Sequence, residues 1–103
     1  MLEVKKEGDR IFVKPKEDIR SETVQEWRSE LSPVVKEVQK EMIIDFGEVN
    51  VIDSIGLGVL VATYNSLKEA GKKMTVTNVS PGIQELFSMM RLNQYFEVKM
   101  DNS

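Results

Sequence analysis

The stretch "VNVIDSIGLGVL", Val49–Leu60, decides how the chain is read. An apolar, strand-like run ends at Asp53-Ser54. Apolar residues then recur at helical spacing through Leu57, Leu60, Val61, Tyr64 and Leu67. A strand passing directly into a helix is the seam of an α/β unit. Gly56 and Gly58 fall in the first turns of that helix, where each costs about 1 kcal/mol relative to Ala. Ser54 takes the N-cap position in this reading, its hydroxyl accepting from the amide of Gly56 or Leu57. Capping by Asp53 and Ser54, with glycines letting the helix pack close to the sheet, needs no ligand. The same geometry suits an anion, because a helix N-terminus presents unpaired N–H groups and glycines leave room for a phosphate or a partner. The residues alone leave both readings open.

Upstream, Leu2–Val4 and Ile11–Val13 read as short strands around "KKEGDR", with Gly8-Asp9 as the turn of a hairpin. Pro15 ends the second strand's ladder or marks an edge. From Ser21 the period becomes helical through Val24, Trp27, Leu31, Val34 or Val35, and Val38. Ser21 or Thr23 is the expected N-cap, and Glu22 adds a favourable charge. Pro33 lies inside this pattern, predicting a kink or a helix in two pieces. "MIIDF", Met42–Phe46, reads as a strand buried on both faces, with Asp45 hydrogen-bonded at its end.

Downstream, Gly71 is the expected stop of the second helix, and "KMTVTNV" alternates as a strand. Ser80 and Pro81 open a third helix with Ile83, Leu86, Phe87 and Met90 inward. Asn93 is its expected left-handed cap, and "YFEVKM" is the last strand. The order β-β-α-β-α-β-α-β predicts one α/β domain over residues 1–103, a mixed sheet of about five strands with helices packed on it.

Composition narrows the chemistry. The chain has 103 residues, 41% apolar and 30% charged, with net charge −3. Acids interleave with the lysines, so no basic stripe for nucleic acid or anionic lipid emerges. There is no cysteine and no histidine, which removes thiol chemistry, the usual general base and the commonest metal ligand. No acidic cluster marks a metal site, and no cofactor is expected. No apolar run reaches membrane-spanning length, and "MLEVKKEGDR" lacks the apolar core of a secretory signal, so a cytoplasmic location is expected. The turn at Ser54 is not a P-loop, since no Lys-Ser/Thr pair follows the glycines, nor a G-x-S-x-G elbow. Ser54 therefore reads better as a hydroxyl modified by another protein than as a nucleophile.

The run from Met42 to Val98, with "DSIGLG" and "SPGIQELF", resembles the bacterial anti-sigma-factor antagonists of the STAS domain class, and more weakly so does the rest of the chain. The resemblance implies partner switching. The unmodified protein binds an anti-sigma factor, usually an ATP-dependent serine kinase, which releases it by phosphorylating the serine after the motif's aspartate. A serine phosphatase resets the cycle. That serine is Ser54, with Asp53 supporting it and Ile55, Gly56, Leu57 and Gly58 completing the docking turn. Such a protein is no enzyme, and a monomer is expected. Ile55 stands where the family often has Ser or Thr. The text "KPKEDIRSET" replaces a Gly-Glu-Leu-Asp-like turn, so Glu17 or Asp18 stands in for its acid. Glu17, Asp18, Ser21 and Asn65 are candidate partner contacts. Two rival readings are a STAS module of a transporter or scaffold that is never phosphorylated, which the absence of any fused segment disfavours, and a nucleotide-binding protein.

Overall fold

Period-two segments form five strands and period-3.6 segments form three α-helices in the computed structural model, which describes residues 2–100. The elements are β1 (Leu2–Glu7), β2 (Arg10–Pro15), α1 (Val24–Glu37), β3 (Glu41–Asp45), α2 (Ser54–Glu69), β4 (Lys73–Val79), α3 (Pro81–Met89) and β5 (Glu97–Met100). A 3-10 turn, Leu92–Gln94, precedes β5. Gly8, at φ +62°, supplies the left-handed residue of the β1–β2 turn, and the hairpin pairs antiparallel from Glu7↔Arg10 to Leu2↔Pro15. All remaining pairs are parallel, and the strand order in the sheet is β1-β2-β3-β4-β5.

Each parallel crossover therefore steps the same way across the sheet. Right-handed crossovers of that kind place every helix on one face. Ile11, Val13, Met42, Ile44, Met74 and Val76 point to that face. There they join Trp27 and Leu31 of α1, Leu57, Leu60 and Leu67 of α2, and Ile83 and Phe87 of α3 in one core. At about 25 cal/mol per Å² of apolar surface, this continuous core is the main stabilising term. Among the described residues the opposite face carries no helix; Phe12, Ile43 and Thr75 lie there among Lys5, Arg10, Glu41 and Glu97. Ile43 is still buried, so β3 is covered on both sides, but by neighbouring side chains rather than by a second helix layer. The Thr75 hydroxyl donates to Glu41 Oε2 at 2.7 Å, and the Arg10 guanidinium lies 5.6 Å from the Phe12 ring centroid.

Several local expectations need correction. α1 begins at Val24, so of the two expected N-caps Thr23 holds the position, though without a capping bond from its side chain. The Thr23 hydroxyl instead accepts from the Arg20 amide at 3.1 Å and donates to the Asp18 carbonyl at 2.9 Å, folding Ser21–Thr23 into a turn. α1 runs unbroken through Pro33, whose exposed ring leaves the apolar stripe in phase. Gly71, at φ +75°, ends α2 as expected. Its amide donates to Lys68 O at 2.9 Å and that of Lys72 to Leu67 O at 2.8 Å, the two bonds of a Schellman motif. Ser80 caps α3 by accepting from the Ile83 amide at 3.3 Å. The left-handed residue after α3 is Arg91 at φ +57°, and Asn93 lies in the 3-10 turn. Reversal at Arg91 sends Leu92 inward and leaves Met90 exposed beside Met89.

Candidate functional site

The site is built where two loops meet at the carboxyl ends of β2 and β3. Ile19 N–H donates to Val51 O at 3.0 Å, and Asp53 N–H donates to Ile19 O at 3.1 Å. These bonds form a short parallel bridge, Ile19↔Ile52, outside the main sheet. Ile19 and Ile52 are both buried, so the apolar residue in each loop anchors the polar ones on either side.

Asp53, not Ser54, is the N-cap of α2. Its backbone is extended (φ −94°, ψ −179°), and its Oδ1 accepts from the Gly56 amide at 2.9 Å. Its Oδ2 accepts from the Ser21 amide at 2.8 Å, so one carboxylate both caps the helix and clamps the facing loop. The Gly56 amide is the first cause holding the Asp53 carboxyl below its ordinary range; the Ser21 and Ile55 amides and the charge of Arg20 add to it, and burial opposes them. The first helical bond runs from Leu57 N–H to Asp53 O at 2.9 Å, leaving Ser54 as the first helical residue. Ser54 is exposed, and among the described residues its hydroxyl makes no hydrogen bond.

Asp18 makes the reciprocal clamp. Its Oδ1 accepts from the amides of Asn50 at 2.8 Å and Val51 at 3.2 Å, and its Oδ2 accepts from Arg20 Nη2 at 3.3 Å. The Asn50 amide leads the causes that lower the Asp18 carboxyl below its usual range, with Val51 and Arg20 behind it. Asp18 is thus the acid that ties the two loops, while Glu17 is exposed on the same loop.

The glycines divide in function. Gly56 is buried: a Cβ there would stand 2.7 Å from Ile19 Cγ2, 2.9 Å from Ile52 Cγ1 and 3.0 Å from Ile19 O. Its lack of a side chain serves packing against the loop bridge, which corrects its reading as clearance for a partner. Leu57 also points into the core, at 5% exposure. Gly58 is exposed and a Cβ on it would meet nothing within 4 Å. Ser54, Ile55 and Gly58 therefore form the outward surface of the turn, and Ile55 is 52% exposed.

Asn65 is exposed on α2 but lies eleven residues from Ser54, about 16 Å along the helix axis. Asp18, Ser21 and Asp53 are brought together; Asn65 is not. Sequence reading overlooked Val51, 41% exposed beside the turn, and Arg20. The only signal for them was the apolar Ile19 set between Asp18 and Arg20, which fixes the register of that loop. Asp45 serves structure, its Oδ1 accepting from Gly47 N–H at 2.8 Å and Asn78 Nδ2 at 3.0 Å. Among the described residues no group of three or more acids is placed to hold a metal ion, and no helix is long and apolar enough to cross a membrane.

Comparison with known proteins adds the lineage. A family model described as the STAS domain matches residues 1–103. An anti-sigma-B factor antagonist of Staphylococcus aureus is 29% identical over 76 residues, covering 74% of this chain and 70% of that protein. An anti-sigma factor antagonist from Mycobacterium paratuberculosis superposes with a TM-score of 0.85 at 21% identity, covering 96% of this chain and 84% of that one. The Bacillus cell fate determinant SpoIIAA, in its phosphorylated form, superposes with a TM-score of 0.73 at 15% identity, covering 95% and 90%. The two superpositions show that this chain shares the fold of those structures. The chain belongs to the STAS domain family.

Proposed function

We propose that the protein is an anti-sigma-factor antagonist, a regulator of transcription that works by switching partners. It binds an anti-sigma factor, itself a serine kinase, while Ser54 is unmodified, and phosphorylation of Ser54 releases it. The observation that carries this reading is the position of Ser54. Its hydroxyl is exposed and, among the described residues, unbonded at the first residue of α2, on a turn clamped by the Asp53 carboxylate and flanked by exposed Val51 and Ile55. The kinase transfers the γ-phosphoryl group of ATP to Ser54 Oγ, which gives up its proton, and ADP leaves. The N-terminus of α2 tolerates the added anion, so the fold survives. A partner packed on Val51 and Ile55 meets about −1.5 to −2 charges and a bulky group in place of a small hydroxyl. A hundredfold loss of affinity needs only about 2.7 kcal/mol.

A serine phosphatase hydrolysing the phosphoserine resets the cycle. The protein acts in the cytoplasm as a monomer, without cofactor, nucleic acid, membrane or catalysis of its own. The relation to antagonists of anti-sigma factors supports this assignment.

The test is binding of the cognate anti-sigma kinase by calorimetry. Ser54→Ala is expected to bind like the parent and to take up no phosphate. Ser54→Asp is expected to bind about a hundredfold more weakly, equivalent to about 2.7 kcal/mol. Parent-like affinity of Ser54→Asp, or phosphate mapped to another residue, sinks the proposal.

A further inference from the structure

We infer that Arg20 is the internal partner of phosphorylated Ser54, and that it reaches the phosphate by leaving Asp18. The inference rests on the phosphoswitch reading above and names the residue that senses the modification.

The two loops bring Arg20 to the turn. Ile19 pairs with Ile52, and the Ser21 amide donates to Asp53 Oδ2 at 2.8 Å, so the residue between them is held beside the start of α2. The Arg20 backbone is fixed by its own N–H bond to Thr23 Oγ1 at 3.1 Å. Its side chain is not fixed to the same degree. It is half exposed and makes one long contact, 3.3 Å from Nη2 to Asp18 Oδ2. A solvent-exposed pair of that kind is weak and readily exchanged.

A phosphate on Ser54 offers the guanidinium a better partner. Its oxygens carry more charge than one carboxylate and accept two parallel N–H bonds. Asp53 cannot hold the phosphate, because an ionised carboxylate is an acceptor only and repels a second anion; its two oxygens stay with the Gly56 and Ser21 amides. Lys16, on the same loop, is bonded to Glu48 Oε2 at 2.6 Å. The charge of Arg20 already bears on Asp53, the residue before Ser54.

The exchange has a consequence for release. When Arg20 moves, Asp18 keeps its bonds to the Asn50 and Val51 amides but loses its cation. The docking surface then carries the phosphate and a newly uncompensated carboxylate on the facing loop. One modification thereby spreads negative charge over both loops, while the fold stays clamped.

The experiment places phosphoserine at position 54 by an expanded genetic code and titrates it by 31P NMR, so no kinase is needed. The charged groups on the two paired loops nearest the turn in sequence are Asp18, Asp53, Arg20 and the acids Glu17 and Glu22. An arginine beside the phosphate favours the dianion and lowers its second pKa, ordinarily about 6. Arg20→Gln is expected to raise that value by about one unit, and Arg20→Lys by less. Asp18→Asn, which retains an oxygen for both amides, is expected to lower it in the parent and to do so far less in the Arg20→Gln background. Circular dichroism of each unmodified variant is expected to match the parent. An unchanged pKa in Arg20→Gln overturns the pairing, and an Asp18→Asn effect equal in both backgrounds overturns the exchange. Failure of the anti-sigma kinase to modify Ser54 would instead refute the partner-switching reading, leaving the titration result intact.

Discussion

Gly56 and Gly58 stand two residues apart, look alike in sequence, and do opposite things. Gly56 lies against Ile19 and Ile52 with no room for a methyl group, whereas Gly58 faces solvent. Gly56→Ala is expected to destabilise the protein by about 1–3 kcal/mol through overpacking at the loop bridge. Gly58→Ala is expected to stabilise it by about 0.5–1 kcal/mol through helix propensity. Urea midpoints of the two variants check both signs; two equal shifts would contradict the packing assigned to Gly56. Binding separates them further, since a methyl group at Gly58 stands on the proposed docking surface and is expected to weaken the kinase complex. The sequence could not separate these glycines, because what distinguishes them is Ile19, some forty residues away in the chain. The cap was illegible for a similar reason. Asp53 and Ser54 are both good N-caps, and the choice falls to Asp53 because its backbone and carboxylate also bond to Ile19 O and Ser21 N–H.

At the scale of elements, the pairing of the two loops is held by ionised carboxylates, and this gives it a pH dependence. Asp18 and Asp53 both have folded-state pKa values below the ordinary aspartate range, the first chiefly through the Asn50 amide and the second chiefly through Gly56. The unfolded chain therefore binds their protons first as pH falls. Their stabilisation is complete above about pH 4 and is lost as pH drops through the folded values. Asp53→Asn is expected to flatten the fall of the urea midpoint between about pH 4 and pH 2. A slope as steep as the parent's would show that the carboxylate contributes no such linkage. In α1, the interior Pro33 removes the N–H that would reach Ser29 O. Pro33→Ala is expected to raise stability by about 1–3 kcal/mol, read from the thermal midpoint. The elements themselves were legible, because their periods differ and their caps at Ser80 and Gly71 are strong signals. The end of α3 was not. Arg91 adopts the left-handed conformation although Asn93 is chemically better suited, since only reversal at Arg91 buries Leu92 and Phe96.

For the molecule as a whole, sheet order equals chain order, so each new strand adds to the edge left by the one before. β3 lies at the centre of the sheet, between two parallel neighbours, and β1 and β5 are the exposed edges. Hydrogen exchange is expected to be slowest at Ile43, Ile44 and Val76 and fastest along β1. Protection of β1 equal to that of β3 would point to a further strand or a second molecule covering that edge. The mixed sheet with helices packed on it was legible from the element order, whereas the strand order within the sheet was not. The bare outer face was not, since the apolar run "MIIDF" reads the same whether a helix or only neighbouring side chains cover Ile43.

Trp27 is the only tryptophan in the chain, and it is 5% exposed. It lines the small cavity beneath the loop between β2 and α1 together with Pro15, Asp18, Ile19 and Thr23. Any shift of that loop alters the surroundings of one indole, and no other indole dilutes the signal. The molecule thus carries its own optical probe, placed under the residues whose charge the proposed switch would rearrange. Its emission can follow the change in time without a label.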